Sequence, residues 1–550
     1  MEFTFNQEYE IDIEYSKKIA YFCMEFALDQ PLKTYAGGLG FLAGSFMKSA
    51  FELNQNIVGI GILWKYGYYN QIRKHDQTMD VLFEEKKYGF LIDTKIKFTI
   101  TIACKEVWVT AFYLPSNVFQ SAPIFFLSTD LPENDYLSKT ISHKLYDANP
   151  ETSIAASILL GAGGSKLLSL INWEPEVYHM NESHALPIGF YLLNKFKEID
   201  IVKAKLVYTN HTAEDAANKV SSIALLEKMS YFCGISTTFI TANFSIDKVN
   251  INHTYVALIL SGKANAVSEL HKKKLLTIWE KYNNICPIHA ITNAQNFKFW
   301  KNECMYKAVK KNDINEFDIE KKKSKRKLFE IVADQCGEIY DESICTLVFA
   351  KRFASYKRAD LLLNNMDRFL KIIHNEKYPV QIIWAGKPYP MDYFGIGIYD
   401  KIVNICKSYY NCSILVGYEI SLSKILKSGS DVWLNTPRIG HEASGTSGMS
   451  ASMNGAINIG IQDGWFPEFA KNEENAFVIN ACENCLQDII QDEKDAENLY
   501  SLLENEAIPM YYENREKWFV ITKNSMLDII PNFDSNRMAK AYYDTLYINK

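Results

Sequence analysis

Four groups of residues in this 550-residue chain have types and spacings suited to a phosphorylated sugar. In Val348-Phe-Ala-Lys-Arg-Phe-Ala-Ser-Tyr-Lys-Arg358 an apolar strand pattern ends in cations. Arg352 and Lys357 are one short turn apart, so both can face one anion, and a planar guanidinium fork with a compact ammonium suits phosphoryl oxygens. Lys351 and Arg358 read equally as exposed charges at a helix start. Glu442-Ala-Ser-Gly-Thr-Ser-Gly-Met449 places one carboxylate ahead of small residues and two glycines. That is a strong acceptor with several backbone donors, a grip for sugar hydroxyls.

The glycines of Lys33-Thr-Tyr-Ala-Gly-Gly-Leu-Gly40 precede an apolar helical pattern. Backbone N–H groups at such a helix start can approach a phosphate, although tight turning accounts for the same glycines. His211, in Tyr208-Thr-Asn-His-Thr, follows an apolar run and can bond a sugar hydroxyl or steady a reacting centre. His179, Glu182 and His184 have a spacing open to a metal, but no further ligand cluster accompanies them, and no metal is expected.

These residues need a scaffold that brings strand ends together. Apolar, β-branched runs repeatedly precede helical patterns, as at 18–24, 56–63, 177–180, 205–210, 344–350 and 380–386. That is the rhythm of βα units and a parallel sheet, with ligands bound at the carboxyl ends of strands. Period-two alternation, clearest over 95–102, predicts a small β insertion at about 80–128. The length exceeds one hydrophobic core. We expect an α/β protein with an N-terminal domain over 1–295, a second over 296–510, and a helical segment over 511–550 that either crosses back to the first or packs on the second.

A net charge of −6 gives no electrostatic case for nucleic acid or an anionic membrane. The basic run Lys321–Lys327 reads as a solvated helix face among acidic neighbours. No signal peptide or transmembrane run is read. Eleven scattered cysteines fit reduced thiols in a cytosol, with secretion by another route left open.

Taken in order, Tyr21-Phe-Cys-Met-Glu-Phe, Ala36-Gly-Gly-Leu-Gly, Gly61-Ile-Leu-Trp-Lys-Tyr-Gly-Tyr, Asn181-Glu-Ser-His, Thr209-Asn-His-Thr, Thr292-Asn-Ala, Lys351-Arg-Phe-Ala-Ser-Tyr-Lys-Arg, Asp431-Val-Trp-Leu-Asn-Thr-Pro, Glu442-Ala-Ser-Gly-Thr-Ser-Gly-Met and Asp463-Gly-Trp resemble the α-glucan phosphorylases, particularly their shorter bacterial and archaeal members. The resemblance implies the GT-B fold, two Rossmann-like doubly wound domains facing across a cleft. It implies catalytic roles for Arg352, Lys357, Glu442 and His211 and a phosphate and donor site around Gly37, Gly38, Gly40, Lys351, Ser444, Gly445, Thr446 and Gly448, where Ser450, though it departs from the family, is expected to face the donor. His211 would touch the sugar near its reacting carbon; Asn293 would contact the sugar, with Glu182 and His184 on the acceptor side. Trp300 and Lys351 match positions lining the family's cofactor pocket.

By the same resemblance Ser450 stands where the family has the lysine that carries pyridoxal phosphate, and no lysine occurs between Lys427 and Lys471. A serine hydroxyl cannot form an imine. No covalent pyridoxal phosphate is therefore expected at 450, with non-covalent binding left open. The leading expectation is a retaining hexosyltransferase using a nucleotide diphosphate sugar, with a glucan, small molecule or protein as acceptor. The alternatives are α-glucan phosphorolysis to a sugar phosphate, and an inactive glucan-binding or regulatory protein. Oligomeric state is open.

Overall fold

The computed structural model describes residues 3–482, 485 and 487–548. It divides into two compact units, one of Met1–Tyr69, Phe83–Asn293 and Ser535–Lys550, the other of Asn70–Leu82 and Ala294–Asp534.

The first unit is built on a nine-stranded sheet. Its strands are β1 (Ile19–Phe22), β2 (Ile57–Ile62), β3 (Ile92–Ile102), β4 (Lys105–Leu114), β5 (Ile124–Ser128), β6 (Val177–Asn181), β7 (Leu206–Thr209), β8 (Lys263–Ala266) and β9 (Ile288–Ala290), in the order β9-β8-β7-β6-β1-β2-β5-β4-β3. From β9 to β5 the pairing is parallel; β4 and β3 add antiparallel at the edge. The β1, β2 and β6 side chains are fully buried, as in a parallel sheet covered on both faces. Within the stretch expected to be a β insertion, β3 and β4 extend the edge of the main sheet of the first unit, whereas 80–82 belong to a separate hairpin. The alternation reflects the half-exposed face of β3.

The second unit carries β10 (Cys345–Ala350), β11 (Val380–Ala385), β12 (Cys412–Leu415), β13 (Val432–Asn435), β14 (Ile457–Ile461) and β15 (Phe477–Ile479). All pair in parallel, in the order β12-β11-β10-β13-β14-β15. The order reverses at β10 and β13, the position where doubly wound sheets bind ligands. Leu328, Val348, Ile383, Leu426, Trp433 and Ala451 share one apolar cluster there.

Three segments depart from the expected boundaries. The division between units falls after Asn293, two residues before the expected one. The hairpin Asn70–Arg73 and Met79–Leu82 belongs with the second unit, where Gln71 donates to Gly386 O (3.0 Å) and accepts from Gly417 N (3.1 Å). Of the C-terminal segment, 511–534 stays in the second unit, with Tyr512 OH donating to Pro379 O (2.6 Å). Only the part from Ser535 joins the first, where Tyr547 OH bonds His179 Nδ1 (2.7 Å).

Two charge and cysteine readings also change. Lys321 and Lys325 are buried rather than solvated: Lys321 Nζ donates to the carbonyls of Ser428, Ser430 and Asn454, and Lys325 Nζ to Asp431 at 2.6 Å. Cys482 and Cys485 are joined in a disulfide, their Cα atoms 5.7 Å apart, so the reduced-thiol expectation does not hold for this pair. Among the described residues Pro150–Leu170 is long and apolar enough to cross a membrane, and 78% of its apolar window is buried, as in a core helix.

Candidate functional site

In the second unit the chain leaves β10 directly into Lys351 and turns through a short 3-10 helix at Ser355–Lys357. Lys357 Nζ donates to Glu442 Oε2, on the loop after β13, in a largely buried ion pair. Glu442 is held by its backbone. Asp463 Oδ2 accepts from the N–H groups of His441 (3.1 Å) and Glu442 (2.9 Å), while Asp463 Oδ1 accepts from Gly464 (2.9 Å). Gly464 has φ +58°, and a Cβ there would lie 2.3 Å from Ser444 O, so this brace needs glycine.

The charges in this cluster act on one another. Lys351 is lowered to about 7, mainly by burial and then by the Lys357 ammonium, against the pull of Glu442. Burial pushes the Glu442 carboxyl up, but Lys357, Lys351 and Arg352 outweigh it, so it ends below the ordinary range. Burial likewise disfavours the Lys357 ammonium, and Glu442 more than restores it. Asp463 is raised to about 6, chiefly by burial, with the Glu442 charge adding to it.

Other predicted members of this cluster have different roles. Arg352 is exposed, and its charge acts on Glu442 and Lys357. Arg358 is buried rather than an exposed helix-start charge. It donates to Thr436 O and Pro437 O and to Asp492 and Asp495, tying the end of β13 to the helix Asp488–Leu502. Gly445 has φ +82°, and Gly448 packs where a Cβ would lie 2.5 Å from Asn458 Oδ1, so folding alone accounts for both glycines. Ser444 and Thr446 are buried beside them. Ser450 is fully buried, and its hydroxyl donates within its own helix to Thr446 O and Ser447 O (3.3 Å each) rather than presenting a free group.

In the first unit Glu182 follows β6 with φ +73°, a conformation rare outside glycine and frequent at functional sites. Its Oε1 accepts from His211 N (2.6 Å) and Thr212 Oγ1 (3.2 Å), and its Oε2 from Ser183 N (3.0 Å) and Tyr208 OH (3.3 Å). His211 Nε2 lies 2.7 Å from Asn181 Oδ1. Burial raises the Glu182 carboxyl and lowers His211 to about 3 and His184 to about 4. His184 Nδ1 and Asn293 Oδ1 are buried with no hydrogen-bond partner among the described residues, which leaves polar capacity for a ligand. His179 takes separate partners, Tyr547 and Thr209, so it does not converge with Glu182 and His184.

The glycine turn departs from the phosphate cradle expected of it. The N–H groups of Ala36 (2.7 Å) and Gly37 (3.1 Å) donate to Glu25 Oε2, so the first donors of the turn are met by the chain's own carboxylate. Gly40 is tight, with a Cβ 2.6 Å from Tyr35 Cβ. Gly37 and Gly38 have open space where a Cβ would stand, so packing does not require glycine there. The amides of Gly38, Leu39 and Gly40 open the helix Gly38–Glu52, ahead of the first residue with an i−4 carbonyl.

Glu25, Asn181 and Asp463 were within the motifs without an assigned role. Their signal was weak because each acts on backbone or ring groups of other motif residues. Only Asp463, followed by the positive-φ Gly464, carries a local cue.

The carbohydrate phosphorylase family matches residues 302–506. The chain is 43% identical to an uncharacterized protein of Methanocaldococcus jannaschii, over 96% of this chain and all of that one. It is 32% identical to the maltodextrin phosphorylase of Thermococcus litoralis, over 97% of this chain and 71% of that one. With the glycogen phosphorylase of Aquifex aeolicus identity is 28%, over 98% and 88%. The parallel α/β sheets fit the GT-B-like fold of such enzymes, and this chain belongs to the carbohydrate phosphorylase family.

Proposed function

We propose that the protein phosphorolyses an α-glucan, maltodextrin or glycogen, to a hexose 1-phosphate. The observation that carries this reading is the buried Lys357–Glu442 pair with Lys351 beside it. Phosphate entering the cluster meets the ammonium groups of Lys357 and Lys351 and the guanidinium of Arg352. These preformed charges can stabilise phosphoryl oxygens as negative charge shifts during transfer. Glu442, freed from Lys357 by the incoming anion, accepts from hexose hydroxyls and fixes the ring, so binding is used for positioning. The anomeric carbon passes through an oxocarbenium-like state: its bond to the glucan oxygen breaks, that oxygen leaves as a hydroxyl carrying the proton of the hydrogen phosphate, and a phosphate oxygen bonds the anomeric carbon on the same face.

The names of the relatives support phosphorolysis over the nucleotide diphosphate sugar expected first. The second reading retains one observation in its favour, the serine at 450. Its hydroxyl does not fit a covalent link to pyridoxal phosphate. A cytosolic place is part of the proposal.

Incubation with maltodextrin and inorganic phosphate tests it. Loss of one hexose from the chain end for each phosphate ester formed is expected. Intact maltodextrin, with release of nucleoside diphosphate from a nucleotide sugar instead, would reject it.

A further inference from the structure

The disulfide Cys482–Cys485 lies between β15 and the helix Asp488–Leu502, and both of its residues are partly exposed. The backbone N–H of Cys482 donates to Oδ1 of Asp495 (2.8 Å), two turns into that helix. Asp495 is fully buried, and its other oxygen accepts from Arg358 (2.8 Å). Asp492 accepts from Arg358 (3.0 Å) and from Arg438 (2.6 Å), and Asp488 pairs with Arg438 as well (2.8 Å). Positions 488, 492 and 495 share one helix face, so a single row of carboxylates takes both guanidinium groups. Arg358 directly follows Lys357, and Arg438 lies on the loop that carries Glu442, with its own N–H on Tyr356 O (2.8 Å). The disulfide is therefore one hydrogen bond away from the clamp that holds both loops of the Lys357–Glu442 pair.

A permanent staple is a poor account of this bond. The two cysteines are three positions apart, and a cross-link stabilises a fold less the shorter the loop it closes. Partial exposure instead leaves the sulfurs open to attack by a thiolate, the route by which disulfides exchange. The other cysteines are free, and burial pushes Cys23, Cys286 and Cys412 up to about 12, which keeps them as thiols rather than reactive thiolates. In a cytosol, the place proposed above, disulfides are as a rule transient or redox-sensing.

We propose that Cys482 and Cys485 form a thiol–disulfide switch, reduced by a dithiol, that sets how firmly the helix Asp488–Leu502 holds the Lys357 and Glu442 loops. In the reduction a thiolate of the dithiol attacks one sulfur of the pair, forming a mixed disulfide, and the other cysteine leaves as a thiolate that takes up a proton. The second thiol of the dithiol then closes its own disulfide and releases the first cysteine. Two electrons and two protons pass to the protein, and the dithiol is oxidised. With the bond closed, the Cys482 amide is fixed on Asp495. With it open, that donor is held less, Asp495 loses a partner, and its grip on Arg358 loosens. The bonds concerned are the same whatever the substrate, so the switch does not rest on the phosphorylase reading.

The test equilibrates the full chain in buffers of reduced and oxidised dithiothreitol. Alkylation and peptide mass spectrometry read the state of the pair, and hydrogen exchange reads the amides of 351–358 and 436–442. The expected result is a pair that passes reversibly between one disulfide and two thiols, with exchange in both loops about tenfold faster when it is reduced. The double variant Cys482→Ser, Cys485→Ser should exchange at the faster rate in both buffers. A pair that resists reduction, one that stays as two thiols in both buffers, or one that converts while exchange in the two loops is unchanged would overturn the proposal. Comparison of the unaltered chain in the two buffers decides the matter even if the variant folds poorly. Neither readout involves phosphorolysis, so loss of the proposed function and loss of the switch are seen separately.

Discussion

Asp463 accepts the backbone N–H of Glu442 at 2.9 Å, so the carboxylate that pairs with Lys357 is itself placed by a second carboxylate. Asp463 also takes the N–H groups of His441 and Gly464, which fixes both sides of the loop. Asp463→Asn turns an amide NH2 toward at least one of these donors. With Glu442 displaced, kcat should fall about 100-fold, the scale of a small misplacement of a positioned group. The KM for phosphate should move less, because the cations remain. Steady-state rates at saturating glucan, with phosphate varied, separate the two.

Glu442→Gln leaves the Lys357 ammonium buried beside a neutral amide. Removing one partner of a buried pair costs about 3–5 kcal/mol. Urea unfolding should show a loss of that size in the second unit, and activity should disappear. Adding Lys357→Met should recover much of the stability and none of the activity.

Lys351 titrates near 7, and its lowered value fixes the sign of a pH effect. Below about 7 it is charged and attracts an anion; above, it is neutral and does not. Sulfate, which keeps its charge across this range, should bind several-fold more weakly as pH rises through 7. Lys351→Arg stays charged and should flatten the profile. Calorimetry at successive pH values provides the measurement.

The first unit should lose stability in mild acid. His179 and His211 are lowered to about 3, and His184 and His271 to about 4, in each case mainly by burial. The unfolded chain takes up these protons near 6.5, whereas the folded chain resists until 3–4. The stabilisation is therefore complete above about 6.5 and drains away as pH falls toward 4. Each pH unit of such a shift is worth at most about 1.4 kcal/mol per group. Melting of the first unit followed from pH 7 to about 4 should show the fall, and His179→Asn should make it shallower.

The parallel sheets were legible because β1, β10 and β11 are predominantly apolar runs that precede helical patterns. Motif position at strand ends likewise placed Lys351, Lys357, Glu442, Glu182 and His211. Long-range pairing was not legible. Nothing local says that β3 and β4 close the edge of the main sheet, or that the 70–82 hairpin belongs with the second unit. Side-chain direction was hidden for the same reason. Arg358 and Lys351 lie in one charged run, yet the first is a buried tie to Asp492 and Asp495 and the second a buried amine beside Lys357.

The central claim, that inorganic phosphate accepts a hexose from an α-glucan, is tested most directly by nuclear magnetic resonance of the protein with maltodextrin and phosphate. The account predicts that the inorganic phosphate signal gives way to that of an α-hexose 1-phosphate. An unchanged phosphate signal, while a nucleotide diphosphate sugar in the same tube is consumed and the glucan lengthens, would contradict it.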